Sequence, residues 1–147
     1  MSCYVLVHGG GHGGWCYQGV ARILRSQGHE VYTPTLTGLG EREHLLTPAV
    51  DLDMHITDVV KILQFEDLRD VILVGHSYGG MVITGIADRA ADRVGHLVYL
   101  DAATPENGSI RWRFRVPRDL ARFIAEKGSV AVDGVSLEIA PGETLAL

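Results

Sequence analysis

Four short apolar runs mark the first hundred residues, and each stops at glycine, proline or a polar turn. YVLVH (residues 4–8) is β-branched and apolar up to its glycines, the profile of a strand buried on both faces of a parallel sheet. EVYTPTL (30–36) predicts a second strand stopped by Pro34, VILVGHS (71–77) a third, and HLVYLDAA (96–103) a fourth closed by Pro105. Between them the apolar period changes from strand to helix. Val20, Ile23, Leu24 and Gln27 form one stripe with Gly28 as the terminating C′ residue. Ile56, Val59, Val60 and Leu63 form a second, for which Asp53 is the expected N-cap, and Asp67 to Asp70 turn the chain after it. Val82, Ile83, Ile86, Ala87 and Ala90 form a third. Strand and helix alternate with connections long enough for right-handed crossovers, so the expected fold is α/β, a parallel doubly wound sheet with helices on both faces.

Composition adds bounds to this picture. At 147 residues, 46% hydrophobic and 21% charged, the chain has room for one domain with one core. No basic leader precedes the first strand, and no apolar run approaches the roughly 18 residues of a membrane span, so neither secretion nor a membrane partner is expected. Cys3 and Cys16 have no metal-ligand spacing and are expected to be small buried hydrophobes in a reducing cytoplasm. His8 and His12 are four apart, but the glycines between them argue against a helix that could present both to a metal, and no metal site is expected. The net charge of −5 is uneven: residues 1–110 carry 7 Lys/Arg against 13 Asp/Glu, residues 111–127 carry 6 against 2, and residues 128–147 carry 0 against 3. The chain therefore divides into a core at 1–109 and an atypical tail at 110–147. The basic, aromatic stretch IRWRFRVPRDLARFIAEKG resembles a nucleic-acid contact only locally, and an acidic chain around it argues against nucleic acid as a partner.

Two glycine-rich turns carry the candidate chemistry. Gly75-His76-Ser77-Tyr78-Gly79 is G-x-S-x-G between an apolar strand and an amphipathic helix, the context in which a tight turn lifts a serine hydroxyl to the carboxyl edge of a sheet. The helix starting there favours negative charge beside Ser77. The earlier turn, HGGGHGGW (8–15), also satisfies G-x-G-x-x-G through Gly9, Gly11 and Gly14. A dinucleotide would want an acid at the end of the second strand to hold the ribose, and that strand ends Thr33-Pro34-Thr35. The loop instead suits the second donor of an oxyanion hole, with the N–H groups of Gly10 and Tyr78 as the pair. No cofactor is then needed.

VLVHGGGHGGW, GHEVYTPTLTGLGER, VILVGHSYGGMV and VYLDAATPENG resemble the α/β-hydrolase superfamily, in particular the small esterases grouped with plant methyl esterases and hydroxynitrile lyases. The resemblance covers about residues 3–109, the N-terminal half of that fold, and implies hydrolysis of a small-molecule ester through a Ser-His-Asp triad, with Ser77 as nucleophile and Gly10 and Tyr78 at the oxyanion positions. The lyase branch fits less well: it typically has threonine where Gly9 stands and uses a late lysine. In this fold the acid and base follow the serine. Here every histidine (8, 12, 29, 44, 55, 76 and 96) precedes Asp101.

A substitute base would have to be local, which makes His12 and His76 candidates and Asp101 a candidate acid, or it would come from a second copy of the chain in a homodimer. The simpler roles are structural: His8 and His76 as loop hydrogen-bonders, His12 as a turn residue, Asp101 as a helix cap or loop anchor. VAVDGVSLEIAPGETLAL (130–147) is similar to the strand pair before the phosphate loop of ABC-transporter ATPases, without the loop itself, as in a chimaeric reading frame. Physically it reads as a β-hairpin able to cover an open sheet edge. A non-catalytic hydrolase-like binding module is the alternative to a serine esterase.

Overall fold

The computed structural model describes residues 1–105 and the two strands at Ser129–Val132 and Val135–Glu138. Four strands form one parallel sheet: β1 (Cys3–Val7), β2 (Glu30–Tyr32), β3 (Val71–Ser77) and β4 (Val94–Ala102), in the order β2-β1-β3-β4. Three helices connect them: α1 (Gln18–Ser26), α2 (Leu52–Phe65) and α3 (Gly79–Arg89). Alternation along the strands sorts the side chains into two cores, as the strand period of two requires. Val5, Val7 and Leu73 point to the face covered by α2 and α3, where Ile56, Val59, Leu63, Val82, Ile83 and Ile86 complete the larger cluster. Leu6 and Val74 point to the other face and meet Tyr17, Ala21 and Val31. Each fully buried aliphatic side chain there contributes about 1.5–3 kcal/mol. The fold is thus the parallel, doubly wound α/β sheet the pattern predicts.

The helix starts and faces differ in detail from the sequence expectation. The α2 stripe is buried as expected, but its N-cap is Asp51, whose carboxylate accepts from the Met54 N–H at 2.9 Å. Asp53 lies inside the first turn and pairs with Arg89. In α1 the expected stripe is rotated. Val20 and Ile23 are about half exposed or more, at 49% and 61%, and Ala21 faces the sheet. The small residue is there because the 3₁₀ turn Gly14–Tyr17 brings this segment close to the strands, and a Cβ on Gly14 would collide with the Thr33 carbonyl. Gly28 ends the helix with φ +85°, as its C′ role requires. Cys3 is half-buried and Cys16 exposed, so neither is a core residue.

The open edge is β4, and Leu97, Val98 and Leu100 on it are exposed. β5 (Ser129–Val132) and β6 (Val135–Glu138) pair antiparallel, as the hairpin reading of the tail expects, and β5 lies against β4 without joining its sheet. The basic, aromatic stretch IRWRFRVPRDLARFIAEKG and residues 139–147 lie outside the described residues. No helix among the described residues is long and apolar enough to cross a membrane.

Candidate active site

The carboxyl ends of β1 and β3 lie side by side, so the two glycine-rich turns meet at one edge of the sheet. In the second turn Ser77 has φ +51°, the left-handed region that costs a non-glycine residue on the order of 1–3 kcal/mol. Its neighbours make the bend feasible. A Cβ on Gly75 would lie 2.6 Å from the Gly79 carbonyl oxygen, and one on Gly79 2.5 Å from that of Val7. The serine is therefore the only side chain at the tip of the crossing, half-exposed, with no hydrogen-bond partner for its hydroxyl among the described residues.

The peptide that follows the serine is oriented from behind. The Ala103 N–H donates to the Ser77 carbonyl at 2.9 Å. In a trans peptide C=O and N–H point in opposite directions, so the Tyr78 N–H is turned away from Ala103. β4 bends to make this contact. Register slips between His76 and Ser77, Ser77 pairs with Ala102, and the residue left out is Asp101, itself at φ +43°. Asp101 is exposed and caps nothing among the described residues; its place is a bulge that bends β4 alongside β3.

The first turn reaches the same arrangement by another route. The His8 ring is fully buried. Its Nε2 accepts from the Leu36 N–H at 3.0 Å, so the proton sits on Nδ1, which donates to the Gly9 carbonyl at 2.8 Å. The His12 N–H donates to the same oxygen at 3.3 Å. With the Gly9 carbonyl held inward, the Gly10 N–H on that peptide faces the other way. Burial pushes the His8 pKa down, against a smaller upward pull from the Gly9 hydrogen bond, and the neutral ring is the one this pair of bonds needs. A Cβ on Gly9 would sit 3.1 Å from the Ser77 Cβ, which shows how closely the turns approach. No acceptor faces the N–H of Gly10 or Tyr78 among the described residues.

The rest of the G-x-G-x-x-G loop is closed by protein. The Gly14 N–H donates to the Thr35 hydroxyl at 2.8 Å, which donates onward to Glu41 Oε1 at 2.6 Å. A Cβ on Gly13 would lie 2.6 Å from Glu41 Oε2. The Thr35 hydroxyl holds the Glu41 carboxyl below the usual carboxylate range, so a negative charge occupies the loop where a pyrophosphate would need room. Thr35 and Glu41 are participants that sequence reasoning did not single out.

His12 and His76 lie over this edge with their rings 6.2 Å apart and 27° from parallel, and Trp15 meets His12 edge-on at 6.1 Å. Neither imidazole has a ring-nitrogen partner among the described residues. A fourth ring, His55, was not anticipated. It is buried on α2, with Nδ1 2.8 Å from the Tyr78 hydroxyl and Nε2 2.8 Å from the Thr37 carbonyl. The signal was present, since residue 55 lies four before Val59 on the buried stripe. No group of three or more His, Cys, Asp or Glu among the described residues could hold a metal.

A strained serine at the carboxyl end of a parallel strand, reached by a glycine loop from the neighbouring strand, defines a class. The chain belongs to the alpha/beta hydrolase family, whose model matches residues 4–144. It is 59% identical over 137 residues to the carbendazim hydrolyzing esterase of Nocardioides sp. (strain SG-4G), covering 90% of this chain and 57% of that one. It is 34% identical over 115 residues to the pyrethroid hydrolase of Sphingobium wenxiniae, covering 77% and 40%. Among solved structures, an extracellular alpha/beta-hydrolase from a Paenibacillus species superposes with a TM-score of 0.67 at 30% identity, covering 84% of this chain and 50% of its own. The chain spans about half the length of the relatives it matches. The family match runs on into the tail, and the ATPase-like reading of residues 130–147 has no support from it.

Proposed function

We propose that this chain carries the nucleophile and oxyanion hole of a cofactor-independent hydrolase of small carboxylic esters. Ser77 Oγ attacks the ester carbonyl carbon and gives its proton to a base. The oxygen that becomes negative accepts from the Gly10 and Tyr78 N–H groups. The C–O bond to the leaving group breaks, the proton returns to the departing alkoxide, and water then releases the acid from the acyl-serine. The observation that carries this reading is that two peptides flanking one strained serine are each anchored through the carbonyl, which leaves the N–H groups free on the other side.

His8 and His55 have both ring nitrogens engaged and are unsuited to shuttle the proton. His12 and His76 are the local imidazoles with nitrogens to spare, and a histidine of a second copy is the other source within a homodimer. That relatives hydrolyse carbendazim and pyrethroids supports a small organic ester or carbamate as substrate. The free, exposed thiol of Cys16 supports a reducing cytoplasm.

The test is turnover of p-nitrophenyl acetate or butyrate and labelling by a fluorophosphonate, for the wild type and Ser77→Ala. Turnover and labelling that both vanish in Ser77→Ala are the expected result. A wild type that neither turns over nor labels leaves a binding module in place of an esterase.

A further inference from the structure

We infer that His55 is a positioning residue for the oxyanion hole, acting through the Tyr78 side chain; this rests on the ester-hydrolase reading above. The argument starts from what one imidazole joins. His55 stands in the first turn of α2, its Nε2 reaches the carbonyl of Thr37 in the loop after β2, and its Nδ1 reaches the hydroxyl of Tyr78 at the elbow after β3, both at 2.8 Å. A backbone carbonyl only accepts, so Nε2 carries the proton, and the neutral Nδ1 then accepts from the Tyr78 O–H.

His55 is 6% exposed and its ring meets the half-buried Tyr78 ring edge-on at 5.6 Å, so water has little access to the His55 end of the pair. Asp58, one turn along α2, takes the N–H and hydroxyl of the same Thr37 at 2.7 and 2.9 Å. The far end of the chain of contacts is therefore rigid. Tyr78 is also the residue whose N–H is the second donor. Its peptide is held on one side by Ala103 and its own carbonyl by the Met81 N–H at 3.0 Å where α3 begins, and its side chain offers the protein a second hold on residue 78 from outside the backbone. An imidazole at residue 55 supplies that second hold, and it does so from outside the first contact layer of a substrate.

The experiment compares His55→Phe, His55→Asn, Tyr78→Phe and the His55→Phe/Tyr78→Phe double variant in the full chain. Asn at 55 keeps an acceptor near the Nδ1 position. Turnover of p-nitrophenyl butyrate is read together with the hydrogen-exchange rate of the Tyr78 amide by NMR. Losing an oxyanion donor outright costs on the order of 10²–10³ in kcat, so loosening one is expected to cost about tenfold, with KM within about twofold. Asn recovers most of it, Tyr78→Phe matches His55→Phe, and the double variant is no worse than either single one. The Tyr78 amide exchanges several-fold faster in each variant that breaks the bond, while amides of β1 do not change.

Equal kcat in His55→Phe and wild type, or additive losses in the double variant, would overturn the inference. If His55→Phe does not fold, Tyr78→Phe and His55→Asn carry the same comparison. If the wild type shows no turnover or labelling, the esterase reading fails by itself, and the positioning role is then decided by amide exchange alone: unchanged exchange at Tyr78 in Tyr78→Phe rejects it.

Discussion

The turns after β1 and β3 present the same thing, an amide N–H facing outward beside Ser77, and they are built on opposite economies of space. The first is roomy at its tip: a Cβ on Gly10 would meet nothing within 4 Å, and the orientation of its peptide comes from a side chain, the buried His8 ring. The second has no room at all. Gly75 and Gly79 are pressed on backbone atoms, the serine between them is strained, and its peptide is oriented by another strand's amide. One turn is aimed by chemistry and the other by sterics, so substitutions should hurt them in different ways.

The largest effect is expected in the crowded turn. Gly79→Ala must displace the Val7 and His8 carbonyls, which is backbone and cannot step aside, at a cost of about 3 kcal/mol or more. Urea unfolding would read this, and a loss under 1 kcal/mol would mean that the turn is looser than its contacts indicate. Next comes His8→Leu. It strands the buried Leu36 N–H and takes a donor from the Gly9 carbonyl, for about 2–3 kcal/mol, with esterase turnover falling further than stability explains.

A smaller effect is pH dependence. The folded protein holds His8 neutral with its pKa lowered, whereas the unfolded chain protonates near pH 6.5, so the unfolded state binds more protons as the medium is acidified. Stability is complete above about pH 6.5 and declines below it by no more than about 1.4 kcal/mol per pH unit from this group. Denaturation curves at pH 7.5, 6 and 5 should show a shallower decline in His8→Gln than in wild type. Asp51→Ala, which removes the α2 N-cap, is expected to cost about 1 kcal/mol, read by urea unfolding. Smallest of all, Gly10→Ala should change stability by under about 0.5 kcal/mol.

What could be read from sequence follows the same division. The crowded turn was legible because its constraints are local: a strand, two glycines four apart and a helix start in consecutive residues, and Ser77 takes up the strained conformation this pattern demands. The strands and the faces of α2 and α3 were legible because their apolar residues are large and periodic. The face of α1 was misread because size was used as the guide, and the position of closest approach took Ala21 instead. Asp51 and Asp53 both precede the α2 stripe, and only the structure shows that one reaches an amide while the other meets Arg89, 36 residues on. The partners that aim the roomy turn, Leu36, Thr35 and Glu41, are 21 to 28 residues from the glycines they serve, so no short motif contains them.

The contact that turns the Ser77 carbonyl inward comes from just beyond the end of β4, an outer strand of the described sheet with several exposed side chains. Outer strands detach first when a protein breathes. As temperature rises, the grip on the Ser77–Tyr78 amide plane is therefore expected to loosen at the rim while the layers around Val7 and Leu73 are still intact, so the candidate site loses its shape before the core melts.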